Sequence, residues 1–577
     1  MREVDDRAAA VMIADFSPLP PIWMPEQRAS GASRAKNHVV SSFIQVKPDR
    51  QTYLSVIYPV DGLAPESRSI MRFPRASGIL LHPTCLPGTS GIGDFGPAAF
   101  AFVDFLKDAG QKLWQVLPLN PTGYGDSPFQ CFSAHAGNHL LIGLEKLVEQ
   151  GVLETSDLRS HLDFPEDSVD FEGVIRRKTA LLTKAATRFQ NSASAEDRRA
   201  FDDFCARNNS WLPDFALFMA CKQEQGGIAW NKWPHEIAQR TPGALSAARE
   251  RLKHALFTAQ YCQFEFSRQW KAVQAYAHAA GIRIVGDLPI YVALDSADVW
   301  THREYFQLSE SGQPLKIAGV PPDYFSATGQ CWGNPIYRWD RLQANGYRWW
   351  IERFRAALEL YDAVRIDHFR GFEAYWEIPG EETTAINGRW VKGPGANFFD
   401  ALEREFGDLP IIAENLGVIT SEVESIRNRF DFPGMAILQF AFGKDPQGPS
   451  FRPHNYERQL AAYTGTHDND TTVGWWNSSG LSDSTRTTED VAKEHAFARA
   501  YLNFTDEPIQ WVLIRSILAS VADLAVIPLQ DLLGLGTDAR MNLPGTAKGN
   551  WRWRFRQEAL TSQLAKQLRE MTALYDR

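Results

Sequence analysis

The sequence predicts a closed (β/α)8 barrel, a TIM barrel, with inserted, mostly helical subdomains. Three observations predict it: eight short apolar runs recur along the chain, helical patterns separate them, and most of the runs end in polar or charged residues. Strands buried on both faces read as continuous apolar and β-branched runs. Eight of them alternating with helices fit a closed barrel better than an open sheet.

In order, the runs are SGILLHPTCLPG from Ser77, KLWQVLPLNPTG from Lys112, IRIVGDLPIYV from Ile282 and DAVRIDHFRGF from Asp362. PIIAENLGV from Pro410, GMAILQFAFG from Gly434, LAAYTGTHDND from Leu460 and LAVIPLQDLLG from Leu524 complete the set. Their spacing is uneven. The interval between the second and third runs is several times a simple βα repeat, and it holds helical patterns such as SAEDRRAFDDFCARNN and ALSAARERLKHALFTAQ. A helical insertion over about 138–266 is the simplest account, with long loops at about 295–345 and 378–400 in a catalytic unit spanning 71–577. Residues 1–70 read differently. PLPPIWMPEQRASGASRAKN has no helical or strand period, so this segment is expected to be a weakly ordered extension, with Met71 a candidate functional start.

Composition bounds the function classes. The chain has 577 residues, 44% hydrophobic and 22% charged, enough apolar material for a large globular core. A net charge of −9 without a Lys/Arg-rich tract argues against a nucleic-acid partner. Six cysteines are scattered without a CxxC pair and the histidines lack HExxH spacing, so no metal site is legible and no cofactor is expected. No apolar run approaches the length of a membrane span and no signal peptide is apparent, which points to a cytoplasmic protein.

Three acids at strand ends carry the chemistry: Asp367 in VRIDHFRGF, Glu414 in IIAENLG and Asp468 in TGTHDNDTT. The intervals between them are long enough for βα units plus loops, so a barrel can bring all three to its C-terminal rim. Breaking an acetal requires a protonated leaving oxygen and a stabilised cationic anomeric carbon, and two carboxyl groups flanking the bond are the usual minimum. Arg365 and His368 beside Asp367 favour an ionised nucleophile. The apolar run before Glu414 favours a raised pKa, as a general acid needs. Taken singly, each acid also reads as a helix cap or salt-bridge partner, and HDND at 467–470 also reads as a metal or Asx-turn cluster.

The segments GYGDSPFQCFSAHAGN from Gly123, GDLPIYVALDSADVW from Gly286 and AGVPPDYFSATGQCWGNPIY from Ala318, together with the three acid-bearing motifs, closely resemble the amylomaltases, or disproportionating enzymes, of glycoside hydrolase family 77. The resemblance covers about residues 72–556, and VPPDYFSATGQCWGNP is its most specific part. It implies a 4-α-glucanotransferase with Asp367 as nucleophile, Glu414 as general acid/base and Asp468 as transition-state stabiliser beside His467. It further implies Asp287 and Arg365 at the cleavage point, and Tyr124, Tyr324, Phe325 and Trp332 along the glucan track. Ser127, Asp323, Asn334, His368 and Asn415 complete the implied binding set. Phe129 stands where the family pattern often has tyrosine, which keeps ring stacking but removes one hydrogen bond, worth about 0.5–1.5 kcal/mol. The implied partners are maltooligosaccharides and α-1,4-glucans, with glucose as an acceptor. A hydrolytic α-amylase-like glycosidase and a noncatalytic glucan-binding protein are the competing readings, and oligomeric state is open.

Overall fold

The computed structural model describes residues 73–159, 163–322, 326–480, 487–546 and 548–577. The expectations for residues 1–70 and for Met71 lie outside these.

Eight parallel strands form the central sheet, and each coincides with one of the apolar runs. They are β1 (Ala76–Leu80), β2 (Leu113–Gln115), β3 (Arg283–Pro289), β6 (Ala363–Asp367), β9 (Ile411–Ala413), β10 (Gly434–Ile437), β11 (Leu460–Tyr463) and β12 (Leu524–Pro528). Neighbours in space follow chain order, with β12 pairing back onto β1, as a barrel requires. Nearly all strand residues are buried, which explains why the runs are continuously apolar rather than alternating.

The seam between β9 and β10 has the weakest ladder. One backbone bond, Ala413 N–H to Pro433 O at 2.8 Å, crosses it. The Asn415 side chain adds a second link by accepting from Met435 N at 2.8 Å while donating to Glu424 at 2.8 Å. Gly434 is required here: a Cβ would sit 2.9 Å from the Asn415 carboxamide.

Helices cover the outside of the sheet. Pro97–Asp108 joins β1 to β2, Arg348–Leu360 leads into β6, Ala396–Phe406 into β9, and Ser421–Arg429 into β10. Between β2 and β3 lie the helices Phe171–Ser192, Ala195–Arg207, Leu212–Glu224 and Pro242–Arg251. Lys253–Ala279 follows as a single helix running through residue 266, so the insertion and the barrel share an element and no break falls there.

The regions read as long loops, 295–345 and 378–400, carry strands instead. β4 (Lys316–Val320), β5 (Gln330–Pro335), β7 (Ala374–Pro379) and β8 (Arg389–Lys392) form an antiparallel sheet in the order β5-β4-β7-β8. Glycines and polar residues interrupt these strands, so no local period marks them, and only β4 with β7 joins segments far apart in the chain. Ile317, Ile378 and Ala385 form a separate small core with Trp376 and Cys331 packed on it.

Candidate active site

The site begins with strand register. β3 and β6 pair so that Asp287 lies opposite Arg365 and Pro289 opposite Asp367. Arg365 Nη1 donates to both Asp287 oxygens at 2.8 and 2.6 Å, while Nη2 donates to Asp367 Oδ1 at 3.0 Å. Asp287 and Arg365 are buried, whereas the Asp367 side chain keeps 28% exposure. A buried bidentate pair thus aims the guanidinium's other edge at the exposed acid. Burial pushes the Asp287 carboxyl up and Arg365 pulls it back, while the surrounding acids raise the Arg365 pKa and hold it cationic.

Glu414 comes from the next strand. Its backbone N–H donates to Ile366 O at 3.1 Å, and its side chain accepts from His368 N at 2.7 Å and from Leu416 N at 2.9 Å. His368 reaches that bond by turning left-handed, with φ 52°, immediately after Asp367. Backbone strain of this kind persists where the surroundings hold it, and here it aims an N–H at a carboxyl group. Burial pushes the Glu414 carboxyl up to about 7; the Arg365 charge opposes the shift and the Asp367 charge adds to it. His368 is pushed down to about 3 by burial and stays neutral.

The third wall follows β11. Asp468 Oδ1 accepts from Asn542 Nδ2 at 2.6 Å, its backbone carbonyl accepts from Arg540 at 2.8 Å, and Oδ2 lies 3.4 Å from His467 Nε2. Phe129 stacks on His467 at 4.8 Å and 15°, and Trp551 closes the cluster 5.9 Å from His467. Trp551, tilted against both rings, holds φ 64°, an unusual angle for a bulky side chain. Asp367 acts electrostatically on Glu414 and His467, and Asp468 acts on Asp287, so the three acids share one field.

The remaining sequence-derived residues divide. Trp332 meets His368 edge-on at 4.9 Å, beside the acids. Ser127 Oγ accepts from Phe129 N at 3.2 Å and shapes the loop that carries the Phe129 ring. Tyr124 stands out in solvent at 77% exposure. Asn334 is buried and binds protein on both sides, accepting from Gln130 at 2.9 Å and donating to Val292 O at 2.9 Å. Asn415 likewise engages its carboxamide at the barrel seam, so both asparagines are tied to the scaffold. Asp323, Tyr324 and Phe325 lie outside the described residues. The HDND segment is built as turns: Asn469 Oδ1 accepts from Thr466 N at 2.9 Å and Asp470 Oδ1 from Thr471 N at 2.8 Å. Sequence reasoning missed Asn542 and Arg540. Their only local signal was the segment DARMNLPGT after the eighth strand.

A chemical description follows from this geometry. One carboxylate is held by an arginine, a second carboxyl is poised to carry a proton near neutrality, and a third sits with a histidine and stacked rings, which is the equipment for cleaving a glycosidic bond.

Known proteins share the pattern. The family model of the 4-alpha-glucanotransferases, glycoside hydrolase family 77, matches residues 81–561. The 4-alpha-glucanotransferase of Synechocystis sp. is 51% identical over 506 residues, which is 87% of this chain and 98% of that protein. That of Thermus thermophilus is 49% identical over 515 residues, covering 88% of this chain and all of the relative. Among solved structures, an amylomaltase from Streptococcus agalactiae in complex with acarbose superposes with a TM-score of 0.82 at 42% identity, covering 87% of this chain and 99% of that one. The agreement in sequence, in the eight-stranded architecture and over nearly the whole length of these relatives leads to one conclusion: this chain belongs to the 4-alpha-glucanotransferase family.

Proposed function

We propose that this enzyme cuts α-1,4-glucosidic bonds of maltodextrins with retention and passes the released glucan to the 4-hydroxyl of an acceptor glucose or glucan. In the first step a carboxylate oxygen of Asp367 attacks the anomeric carbon. The C–O bond to the leaving sugar breaks, and Glu414 gives its proton to the departing oxygen. In the second step the acceptor's 4-hydroxyl attacks the same carbon, Glu414 takes back its proton and the ester to Asp367 is released. Asp468 and His467 bind the hydroxyls of the distorted sugar, and Asp287 acts through Arg365 to orient the nucleophile.

The observation that carries this reading is the environment of Glu414. Its carboxyl is clasped by two backbone N–H groups, sits next to an acid held by Arg365 and is pushed up to about 7, so it can give and recover a proton in the working range. Water at about 55 M competes with an acceptor at millimolar concentration. Transfer therefore needs roughly 10⁴-fold or more in effective concentration, about 5.5 kcal/mol from positioning. Phe129 and Trp332 supply ring surface beside the acids, and Tyr324 and Phe325 are assigned to the same track on the family motif. All six cysteines are unpaired, which supports a reducing compartment such as the cytoplasm.

Maltotriose tests the proposal. Glucose and a ladder of longer maltodextrins should appear while total reducing ends stay nearly constant, because each transfer makes one bond for each bond broken. Reducing ends that climb in step with glucose would show a hydrolase.

A further inference from the structure

Beyond the acids, one exposed ring stands out for the way it is held. Trp390 on β8 lies opposite Trp376 on β7, with ring centroids 5.2 Å apart in an edge-on arrangement. The guanidinium of Arg370 sits 3.7 Å from the Trp390 ring centroid. Arg370 is itself buried and is fixed by donating to Val418 O and to Ala374 O. A surface tryptophan with no task would not ordinarily be clamped by a buried arginine, since burying that charge costs solvation that the contacts must offset. Trp390 nonetheless keeps 39% exposure, and the exposed apolar residues Ile386 and Val418 occur in the hairpin that carries it and in the segment that anchors its arginine.

The position is continuous with the site. Arg370 is three residues beyond Asp367, on the turn whose His368 N–H binds Glu414. Val418 is four residues beyond Glu414, on the segment whose Leu416 N–H binds the other carboxyl oxygen. The general acid/base serves the leaving group in the first step and the acceptor in the second, so a ring tied through Arg370 and Val418 to the two segments that orient Glu414 is a candidate contact for the acceptor. A flat, rigid ring there presents to a glucan the kind of surface on which the C–H face of a pyranose packs.

We propose that Trp390, clamped by Arg370, is a platform for the second or third glucose of an incoming acceptor, so that it sets the preference for acceptor length. The inference rests on the transferase reading and adds to it a specificity-determining residue on the antiparallel sheet.

The test uses the full chain with an α-maltotriosyl fluoride whose nonreducing 4-hydroxyl is blocked, so that it donates but cannot accept. Glucose and maltotetraose are the two acceptors, compared in wild type, Trp390→Leu, which keeps apolar bulk, and Trp390→Phe, which keeps a flat ring. The expected result is a three- to tenfold rise in the ratio of KM for maltotetraose to KM for glucose in Trp390→Leu, largely restored in Trp390→Phe. A ratio that stays at the wild-type value overturns the proposal, whether both KM values rise together, as they would if Trp390 only covered the small core beside Trp376, or neither moves. Should wild type transfer to neither acceptor, the transferase reading itself has failed, an outcome distinct from an unchanged ratio.

Discussion

The catalytic rim and the helical insertion handle buried polar groups in opposite ways. In the insertion, Lys178 is buried but donates to Asp94 at 2.7 Å and to the carbonyls of Leu140 and Ile142 at 2.8 Å each. In the same insertion the rings of Phe189, Phe201, Tyr261 and Phe264 pack with centroids 5.0 to 6.0 Å apart. Lys178 thus has dedicated partners, and these four rings are buried. At the rim, Asp287, Asp367 and Glu414 all act on the one guanidinium of Arg365, while His368 and Trp551 hold left-handed backbone angles. Contacts in the insertion stabilise the fold, whereas the rim keeps crowded charge that costs stability.

That contrast predicts which substitutions change rate and which change stability. The largest effect is expected from Asp367→Asn, which should lower transfer by 10⁴-fold or more because a carboxamide forms no glycosyl ester, with the melting temperature close to wild type. More than a few per cent residual transfer would remove Asp367 from the nucleophile's role. Glu414→Gln should cost 10²- to 10⁴-fold with maltotriose yet retain reaction with a glucosyl fluoride, whose leaving group needs no acid, and azide should then be captured with α configuration. A β product would show inversion. For the wild type the sign is set by the raised pKa: Glu414 carries its proton below about 7 and loses it above, so kcat should fall as pH rises through that value, and Glu414→Gln should lose this limb of the profile with the activated donor.

In the insertion, Phe201→Ala should lower unfolding free energy by about 3–5 kcal/mol while the folded fraction keeps its kcat, read by denaturant titration alongside activity. A large loss of kcat without destabilisation would dissolve the division of labour. Asn542→Ala returns to the rim with a smaller effect. It removes the 2.6 Å bond to Asp468 and should lower kcat about tenfold with little change in KM or melting temperature. The smallest effect belongs to Phe129→Tyr. A hydroxyl restored on the ring that stacks on His467 should lower KM by a few-fold at most, matching one hydrogen bond of about 0.5–1.5 kcal/mol.

Legibility differed within the site itself. Asp367, Glu414 and Asp468 could be singled out because Asp367 ends an apolar strand, Glu414 directly follows one and Asp468 lies in the loop just past β11, and a barrel places all such ends on one rim. The direction of the Glu414 shift was readable too, from the apolar run before it, although the two N–H groups that orient it come from separate segments after β6 and β9 that no pattern announced. The partners of Asn334 and Asn415 within the protein were not legible, because a polar residue beside an acid looks the same in sequence whatever its carboxamide meets, and Gln130, Val292 and Met435 reach them only in the folded chain.

By itself, then, the sequence determined the eight strands and their parallel order, and it singled out three acids at or just past strand ends. These depend on hydrophobic runs and strand ends, which are local properties of the chain. The tertiary structure alone decided that β4, β5, β7 and β8 pair into a second sheet, that Asn542 and Arg540 reach back to Asp468, and that Arg370 clamps Trp390 near the rim. Each of these joins residues through a single turn or a hydrogen bond between distant segments. Such contacts depend on where the whole barrel places its loops, and they impose no period on the sequence that could be read in advance.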